Sequence, residues 1–582
     1  MVTNNMTIII GGDAGQGVES SGAGFCKALA RGGLHVYSVQ DNRSRIRGGH
    51  NFYTIRAQAD PIRSWTEPVH LLVALTKESV EIHASKLVKG GAVICDSSLK
   101  VEAEPLEQAG IKLINVPLAQ LAKDSGGSKV MSNTAALGAL AGLTQFPMKY
   151  IQSVIHDNFK KKGEKIIDIN YKVAQAAYDY VVEHYGRSFE WNLQAVDVEP
   201  RMVINGNHAI ALGALVGGCN YTSAYPMTPG TSVFEWLTTH ADEYGIVSKQ
   251  MEDEISAICA GIGAAHVGAR VIVPTSGGGF SLMVEALGFA GMIEAPIVIV
   301  NAQRPGPSTG FATRTEQSDL LFIIYASQGE FPRIVLAPGT TKQCFEAGAR
   351  AMNLSEKYQT PVIILTDAYL ANSFRTVNKS DIDFSSITID RGEFLTDADL
   401  DKLTEKYKRY LITESGISPR AIPGHPKAIF RTTSDEHNEI GEIVEEADIR
   451  NRMHTKRMKK LELARQEMRA PDLYGPAQAD VTLVCWGSTI SEAHEAIHML
   501  NSEKKDAANL LHFVDIWPFP VEKATPFLEN AKKRVAVEGN YTAQLAQLIR
   551  AETGINMDAT ILKFDGRPFS PEYIINKLKE VL

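Results

Sequence analysis

"QMEDEISAICAGIGAAHVGARVIVPTSGGGFSLMVEALGFAGMIEAPIVIVNAQ", residues 250–303, contains two short aliphatic runs, "ARVIVPT" at 269–275 and "APIVIVNAQ" at 295–303. Apolar runs of this length, rich in β-branched residues and bounded by glycine or proline, read as buried strands. The residues before the first run read as a helix starting at Glu254. Ile255, Ile258, Cys259, Ile262 and Ala265 recur at helical spacing and predict an apolar face. Ala260, Gly261, Gly263 and Ala264 remove bulk elsewhere, so another element can approach closely. Gly277, Gly278 and Gly279 require a sharp bend or room for a ligand. Two further runs, "PRIVLAP" at 332–338 and "TPVIILTD" at 360–367, extend the same α/β pattern.

Toward the N-terminus the pattern repeats. "MTIII", "HVYSV", "LLVAL", "GAVICD" and "KLINV" are strand-like runs spaced by helical stretches, which predicts a mainly parallel, helix-covered sheet. "GRSFEWNLQAVDVEPRM", 186–202, has no clean period and reads as a linker. After about residue 395 the pattern loosens. "DIRNRMHTKRMKKLELARQEMR", 448–469, reads as a polar helix whose charges are solvated, with a specific binding role as the alternative. A third α/β unit follows from "VTLVCWGS" through "LLHFVDIWPFP" to "RVAVEGN". The expected organisation is therefore α/β throughout: domains at 1–188, 201–395 and 476–582, with a linker and helical segment at 396–475.

The chain has 582 residues, 44% of them hydrophobic, and a net charge of −8. This is globular composition with no basic block for nucleic acid. The N-terminus lacks the features of a secretory signal, and no run of 18 apolar residues suggests a membrane span. The six cysteines are dispersed without a C-x-x-C. They read as reduced thiols of a cytoplasmic protein, not as ligands of a zinc ion or iron–sulfur cluster held by this chain alone.

Three places carry candidate chemistry. Glu252, Asp253 and Glu254 sit in the first turn of a helix, where carboxylates suit the positive end of the helix dipole; the plain reading leaves all three in water. "AYPMTPGTSVFEWL", 224–237, brackets Met227 and Thr228 with prolines ahead of a helix starting near Thr231 or Ser232. The Thr228 hydroxyl could be aimed at a ligand, or the segment could be only a turn and cap. "VIVNAQRPGPSTG", 298–310, releases Arg304 from the carboxyl end of a strand, where open α/β sheets bind ligands. A guanidinium there can grip a carboxylate through two parallel hydrogen bonds, or it is a surface arginine in a loop.

Taken together, "YPMTPGT", "EDEISAICAGIGA", "TSGGGFSLMVEALGFAGM" and "NAQRPGPSTG…TEQSDL" closely resemble the α subunit of 2-oxoacid:ferredoxin oxidoreductases, a thiamine-diphosphate family. The resemblance spans nearly the whole chain in order. It implies that Glu254 contacts the aminopyrimidine ring of thiamine diphosphate. A carboxyl bonded to that ring nitrogen favours the imino tautomer, whose nitrogen can take the proton from the thiazolium carbon; an apolar surround assists. It further implies that Thr228 and Arg304 hold the keto and carboxylate oxygens of a 2-oxoacid and that Pro226 lines the pocket. The superfamily's magnesium motif, a "GDG" followed by an asparagine, is missing from this chain. The resemblance therefore implies a β subunit bringing the diphosphate site, Mg2+ and a 4Fe–4S cluster, ferredoxin as electron partner, and a dimer of αβ heterodimers.

The N-terminal block resembles the family's γ subunit fused ahead of α, through "GGDAGQG" and "RIRGGHN". "GGDAGQG" follows a strand and opens a helix, so backbone N–H groups of Gly12, Gly15, Gln16 and Gly17 could face phosphate; a tight strand–helix turn is the alternative. Arg43, Arg45 and Arg47 alternate along an extended segment before Gly48, Gly49 and His50. A shared basic face suits an anion, and a solvated basic loop is the alternative. By the resemblance this domain binds coenzyme A, while His50 reads as structural. The last unit resembles the C-terminal domain of transketolase-type enzymes and is expected to be mainly architectural. The fused arrangement points to 2-oxoglutarate, with pyruvate, branched-chain, indolepyruvate or broad-specificity enzymes, or a non-catalytic coenzyme A-binding protein, as rivals.

Overall fold

The computed structural model describes residues 2–43, 49–186, 188–199 and 201–581. The chain forms two compact units. The first comprises Met1–Ile204, Asn372–Asp381 and Ser570–Glu572; the second comprises Asn205–Ala371, Ile382–Phe569 and Tyr573–Leu582.

The first unit is built on an eight-stranded sheet. Its order is Lys112–Val116, Leu87–Asp96, Val69–Ala74, Asn5–Asp13, His50–Gln58, His35–Asp41, Ser373–Val377 and Met202–Ile204. Strand Asn5–Asp13 shows why it is central. Ile8 and Ile10 pack with Phe25, Leu29 and Leu140 on one face, and Ile9 packs with Leu72 and Val93 on the other. Successive side chains of a strand point to opposite faces, so three consecutive isoleucines need cover on both. The expected parallel sheet holds for one half only: the four strands from Lys112–Val116 to Asn5–Asp13 are parallel, and the remaining pairings are antiparallel. Only residues 42–49 separate His35–Asp41 from His50–Gln58. That is too short for the crossover a parallel pair needs. The strand Ser373–Val377 joins this sheet although it follows the second unit's strands in sequence.

The second unit holds two sheets. The larger is ordered Val247–Gln250, Tyr221–Ala224, Val271–Thr275, Val298–Gln303, Val362–Asp367, Ile334–Leu336 and Asp515–Trp517. All its pairings are parallel except the last. The chain leaves Tyr221–Ala224, forms the outer strand Val247–Gln250, and returns through helix Glu254–His266 to the other side as Val271–Thr275. The connections thus diverge between Tyr221–Ala224 and Val271–Thr275. Such a switch point opens a crevice outside the carboxyl ends of the strands. The smaller sheet runs Asp472–Tyr474, Ala508–Phe513, Val481–Trp486, Arg534–Glu538 and Ala559–Leu562.

The polar helix expected near 448–469 exists as Ala447–Glu467, but its charges are not all solvated. Lys456 and Lys460 are fully buried and both bond Glu294, and Arg457 bonds Glu436. Charge alone does not separate a wet face from a buried ion cluster, because Glu294, the anion of both lysines, lies more than a hundred residues away. All six cysteines are free thiols, and only Cys259 is exposed. Among the described residues no helix is long and apolar enough to cross a membrane.

Candidate active site

The three carboxylates at 252–254 have different environments. Asp253 is the N-cap of helix Glu254–His266: its carboxylate accepts from Ser256 N at 2.7 Å, and the Ser256 hydroxyl lies 3.2 Å from Asp253 N in a capping box. Those bonds from Ser256 hold the Asp253 carboxyl below its usual range. Glu252 points into solvent. Glu254 starts the helix and is only 5% exposed. Its carboxyl has no hydrogen-bond or ion-pair partner among the described residues. The residue is buried while its carboxyl stays available to a further hydrogen-bond partner.

The helix face differs from the expected one. Ile258, Ile262 and Ala265 are buried, whereas Ile255 and Cys259 are exposed. The buried stripe is Glu254, Ala257, Ile258, Gly261, Ile262 and Ala265. Both sides of this helix are apolar, so periodicity alone did not select the inner one. The other side exposes Ile255, Cys259 and Val267 with open space at Gly263, and the next helix exposes Leu282.

Gly277, Gly278 and Gly279 do not bend the chain; they form the first turn of helix Gly277–Met292. Their role is space. A side-chain carbon on Gly277 would lie 2.3 Å from the Asp319 carboxylate, one on Gly278 3.1 Å from Met227 Cε, and one on Gly279 2.8 Å from Glu254 Oε1. This turn therefore brings together the Met227–Thr228 loop, the buried glutamate and a second acid. It also places carboxylates at a positive helix end. Burial raises the Asp319 carboxyl, against a hydrogen bond from Asn301 at 3.0 Å. Met227, Asn301 and Asp319 are not singled out from sequence: all three fall inside quoted motifs, but nothing in their local pattern marks them. We expect Gly279→Ala to displace Glu254, because the added carbon would also lie 2.3 Å from Thr275 Oγ1. Turnover should fall at least tenfold with assembly retained, as read by steady-state assay and size-exclusion chromatography.

The loop after Tyr221–Ala224 carries exposed Pro226 and Thr228. Asn207, fully buried, anchors it by donating to Pro229 O and Ser232 Oγ, both at 2.9 Å. Helix Thr231–Thr239 then begins where expected. Arg304 Nη1 donates to the Thr228 carbonyl at 2.8 Å, so these two sequence-selected residues meet. The Thr228 hydroxyl is left without a partner, and Arg304 has no carboxylate partner, among the described residues. Burial lowers the Arg304 pKa from its usual value; it remains a cation with donors to spare.

In the first unit, the turn at 13–17 is closed by its own groups. Gln16 Oε1 accepts from Asp13 N at 2.9 Å, and Gly15 and Gly17 take φ of 92° and 78°. Gly17 caps helix Val18–Arg31, and Ala14 N donates to Gly49 O at 3.3 Å. Gly12 pairs with Asn51, whose side chain accepts from Arg43 N at 2.9 Å. Gly12, Gly15, Gln16, Gly17, Arg43 and Gly49 thus form one neighbourhood. Arg45, Arg47 and Gly48 lie outside the described residues. His50 is buried, with its Nε2 2.8 Å from His83 Nε2.

The parallel α/β domain that holds Glu254 at its switch point is of a thiamine-diphosphate-binding class: residues 212–456 match the family described as pyruvate flavodoxin/ferredoxin oxidoreductase, thiamine diP-bdg. Residues 7–180 match pyruvate ferredoxin/flavodoxin oxidoreductase, and 479–574 match pyruvate:ferredoxin oxidoreductase core domain II. The chain is 33% identical to a 2-oxoacid:ferredoxin oxidoreductase subunit alpha of Sulfolobus sp, over 99% of this chain and 96% of that one. It is 29% identical to the 2-oxoglutarate oxidoreductase subunit KorA of Mycobacterium tuberculosis, over 98% of this chain and 90% of that one. A solved 2-oxoglutarate:ferredoxin oxidoreductase from Magnetococcus marinus, with 2-oxoglutarate, coenzyme A and succinyl-CoA bound, superposes with a TM-score of 0.91 at 33% identity, covering 99% of each chain. The chain belongs to the 2-oxoacid:ferredoxin oxidoreductase family as an alpha subunit, and so is one subunit of an oxidoreductase enzyme.

Proposed function

We propose that this chain is the cofactor-activating and oxoacid-binding subunit of a 2-oxoglutarate:ferredoxin oxidoreductase. The reaction takes 2-oxoglutarate, coenzyme A and two oxidised ferredoxins to succinyl-CoA, CO2 and two reduced ferredoxins, or runs in reverse as a reductive carboxylation. The observation that carries this reading is Glu254, a buried residue whose carboxyl has no partner among the described residues, beside a side-chain-free turn at the switch point. It fits an aminopyrimidine ring nitrogen, which offers the missing partner, and the glycines leave room for a flat ring. Thiamine diphosphate, when bound, supplies the carbon nucleophile and the electron sink.

The chain's own residues do the rest. Glu254 holds a proton at the ring nitrogen. The free donors of Arg304 grip the oxoacid carboxylate, and the Thr228 hydroxyl donates to the keto oxygen. Pro226 lines the pocket. In the first unit, the turn of Gly12, Gly15, Gln16 and Gly17 with Arg43, Gly49 and the sequence-selected Arg45, Arg47 and Gly48 receives the phosphates of coenzyme A. Support for 2-oxoglutarate comes from the ligands in the Magnetococcus marinus structure and the names of the KorA relatives.

The exposed stripe Ile255, Cys259 and Val267 with Leu282 is an apolar surface beside the site. Such a patch suits a partner chain, here a β subunit carrying the diphosphate site, Mg2+ and a 4Fe–4S cluster. Two such pairs would form the cytoplasmic heterotetramer. A second reading, a broad 2-oxoacid range, draws on the general names of the Sulfolobus and Aeropyrum pernix relatives. Co-assembly with a chain bearing the "GDG" motif and cluster cysteines, followed by coenzyme-A-dependent viologen reduction, tests both. We expect the highest kcat/KM for 2-oxoglutarate. Comparable values for pyruvate and branched-chain 2-oxoacids would favour the broad reading. No turnover from the cofactor-loaded pair would favour a coenzyme A-binding protein.

A further inference from the structure

The segment 315–321 runs from the Arg304 loop into helix Leu320–Tyr325; the Thr315 hydroxyl bonds Asp367 and Tyr369, and the middle of the segment is fastened to the C-terminal fold of the same unit. Gln317 is its centre and is 3% exposed. Its backbone N donates to Gly539 O at 2.6 Å, and its carbonyl accepts from Asn540 Nδ2 at 3.1 Å. Its side-chain oxygen accepts from Gly539 N at 2.9 Å and Thr489 Oγ1 at 2.7 Å, and its amide donates to Trp486 O at 2.9 Å. Gln544 adds a second staple, donating to Ser318 O at 2.8 Å and accepting from Leu321 N at 3.0 Å.

The other end of this segment reaches the site. Asp319 N donates to Gln303 Oε1 at 2.9 Å, and Gln303 immediately precedes Arg304. The Asp319 carboxylate accepts from Asn301 and backs Gly277 of the glycine turn. The loop of residues 304–316 is therefore held between the end of strand Val298–Gln303 and the C-terminal fold. Five hydrogen bonds of one buried glutamine fix its far end. Removing one of these partners leaves a buried donor or acceptor unsatisfied, which is costly.

We propose that Gln317 is a positioning residue for oxoacid binding, through which the C-terminal fold sets the placement of Arg304. This rests on the reading of Arg304 as the carboxylate-binding residue. It gives the C-terminal fold a part in substrate affinity beyond the architectural one expected from sequence. A guanidinium that must meet a carboxylate with two aligned bonds tolerates little displacement, and a shift of about 1 Å can cost up to a hundredfold.

The test uses the complete, cofactor-loaded complex with its partner chain. Gln317→Ala is expected to raise KM for 2-oxoglutarate on the order of tenfold with kcat changed less than about threefold, the pattern of lost uniform binding. Thr489→Val removes one donor to Gln317 Oε1 without touching the loop and should raise KM by a smaller factor. The double variant should be no worse than Gln317→Ala, because the two act through one contact. Independently of turnover, amides of residues 305–321 should exchange with deuterium faster in Gln317→Ala. Arg304→Lys is the control for the underlying reading and should raise KM strongly. An unchanged KM in Arg304→Lys would refute that reading and this proposal with it. A raised KM there, with unchanged KM in both Gln317→Ala and Thr489→Val, would overturn this proposal alone. If Gln317→Ala does not assemble, Thr489→Val decides.

Discussion

Glu254→Gln should lower kcat by roughly 10²–10⁴ with thiamine diphosphate still bound, the range typical for loss of a positioned acid–base group. That corresponds to about 3–5 kcal/mol of transition-state stabilisation. The amide has nearly the shape of the carboxyl, so packing against Gly279 is kept and only the proton partner is lost. The two neighbouring acids serve as internal controls. Asp253→Asn should leave kcat near normal, since asparagine also caps helices well. Glu252→Gln should change nothing measurable, since that side chain is in water. Steady-state kinetics together with the thiamine content of each purified complex measures all three. Equal losses across the three positions, or near-normal turnover in Glu254→Gln, would remove Glu254 from the chemistry.

The second large effect concerns stability. Glu294→Gln should destabilise the chain by roughly 3–5 kcal/mol, the cost of breaking a buried ion pair from one side. Glu294, Lys456 and Lys460 are all fully buried, and each lysine bonds one carboxylate oxygen. Glu294 occupies a left-handed backbone position, φ 55°, just past helix Gly277–Met292, where glycine is the usual residue. Burial alone would raise its carboxyl, but the two lysines outweigh burial and hold it well below the usual carboxylate range. One glutamate faces two lysines, and burial pushes both ammonium groups down, Lys460 to about 7.

The sign of the pH dependence follows. A carboxyl depressed by folding contributes stability that is present above its unfolded value and lost as pH falls. Glu436, which burial would raise, is brought down to about 2 from 4.5 by hydrogen bonds from Arg457 and Arg450. Glu294 shifts in the same direction, so the wild-type chain should lose stability as pH falls below 4.5 toward 2. The Glu294→Gln variant should behave oppositely at high pH. With no anion, both lysines fold more easily when neutral, so its deficit should be smaller at pH 9 than at pH 7. Urea denaturation at several pH values gives both trends; a deficit that grows between pH 7 and 9 would contradict the assignment.

Sequence made the strands of the second unit legible. Runs such as Val271–Thr275 and Val362–Asp367 are continuous in β-branched and aliphatic residues because helices cover both faces. His50–Gln58 was less so, since polar and apolar residues mix along it and its partners are antiparallel. Glu254 could be singled out through its motif, and Arg304 and Thr228 do meet, but what separates Glu254 from Asp253 is a capping box that depends on Ser256. Gln317 left no local signal. A glutamine in a polar loop looks solvated until its partners more than 160 residues later are folded against it, and the same holds for Lys456, Lys460 and Glu294.

The strand Ser373–Val377 ties the two units together covalently in both directions, so neither can be excised as one uninterrupted piece. A break in the polypeptide within residues 188–199 would give an N-terminal fragment with six of its sheet's eight strands, lacking Met202–Ile204 and Ser373–Val377. The backbone of His35–Asp41 would then be left as an open edge, a template for the wrong neighbours. A two-gene version of this protein would have to rebuild its first sheet by one polypeptide lending a strand to the other.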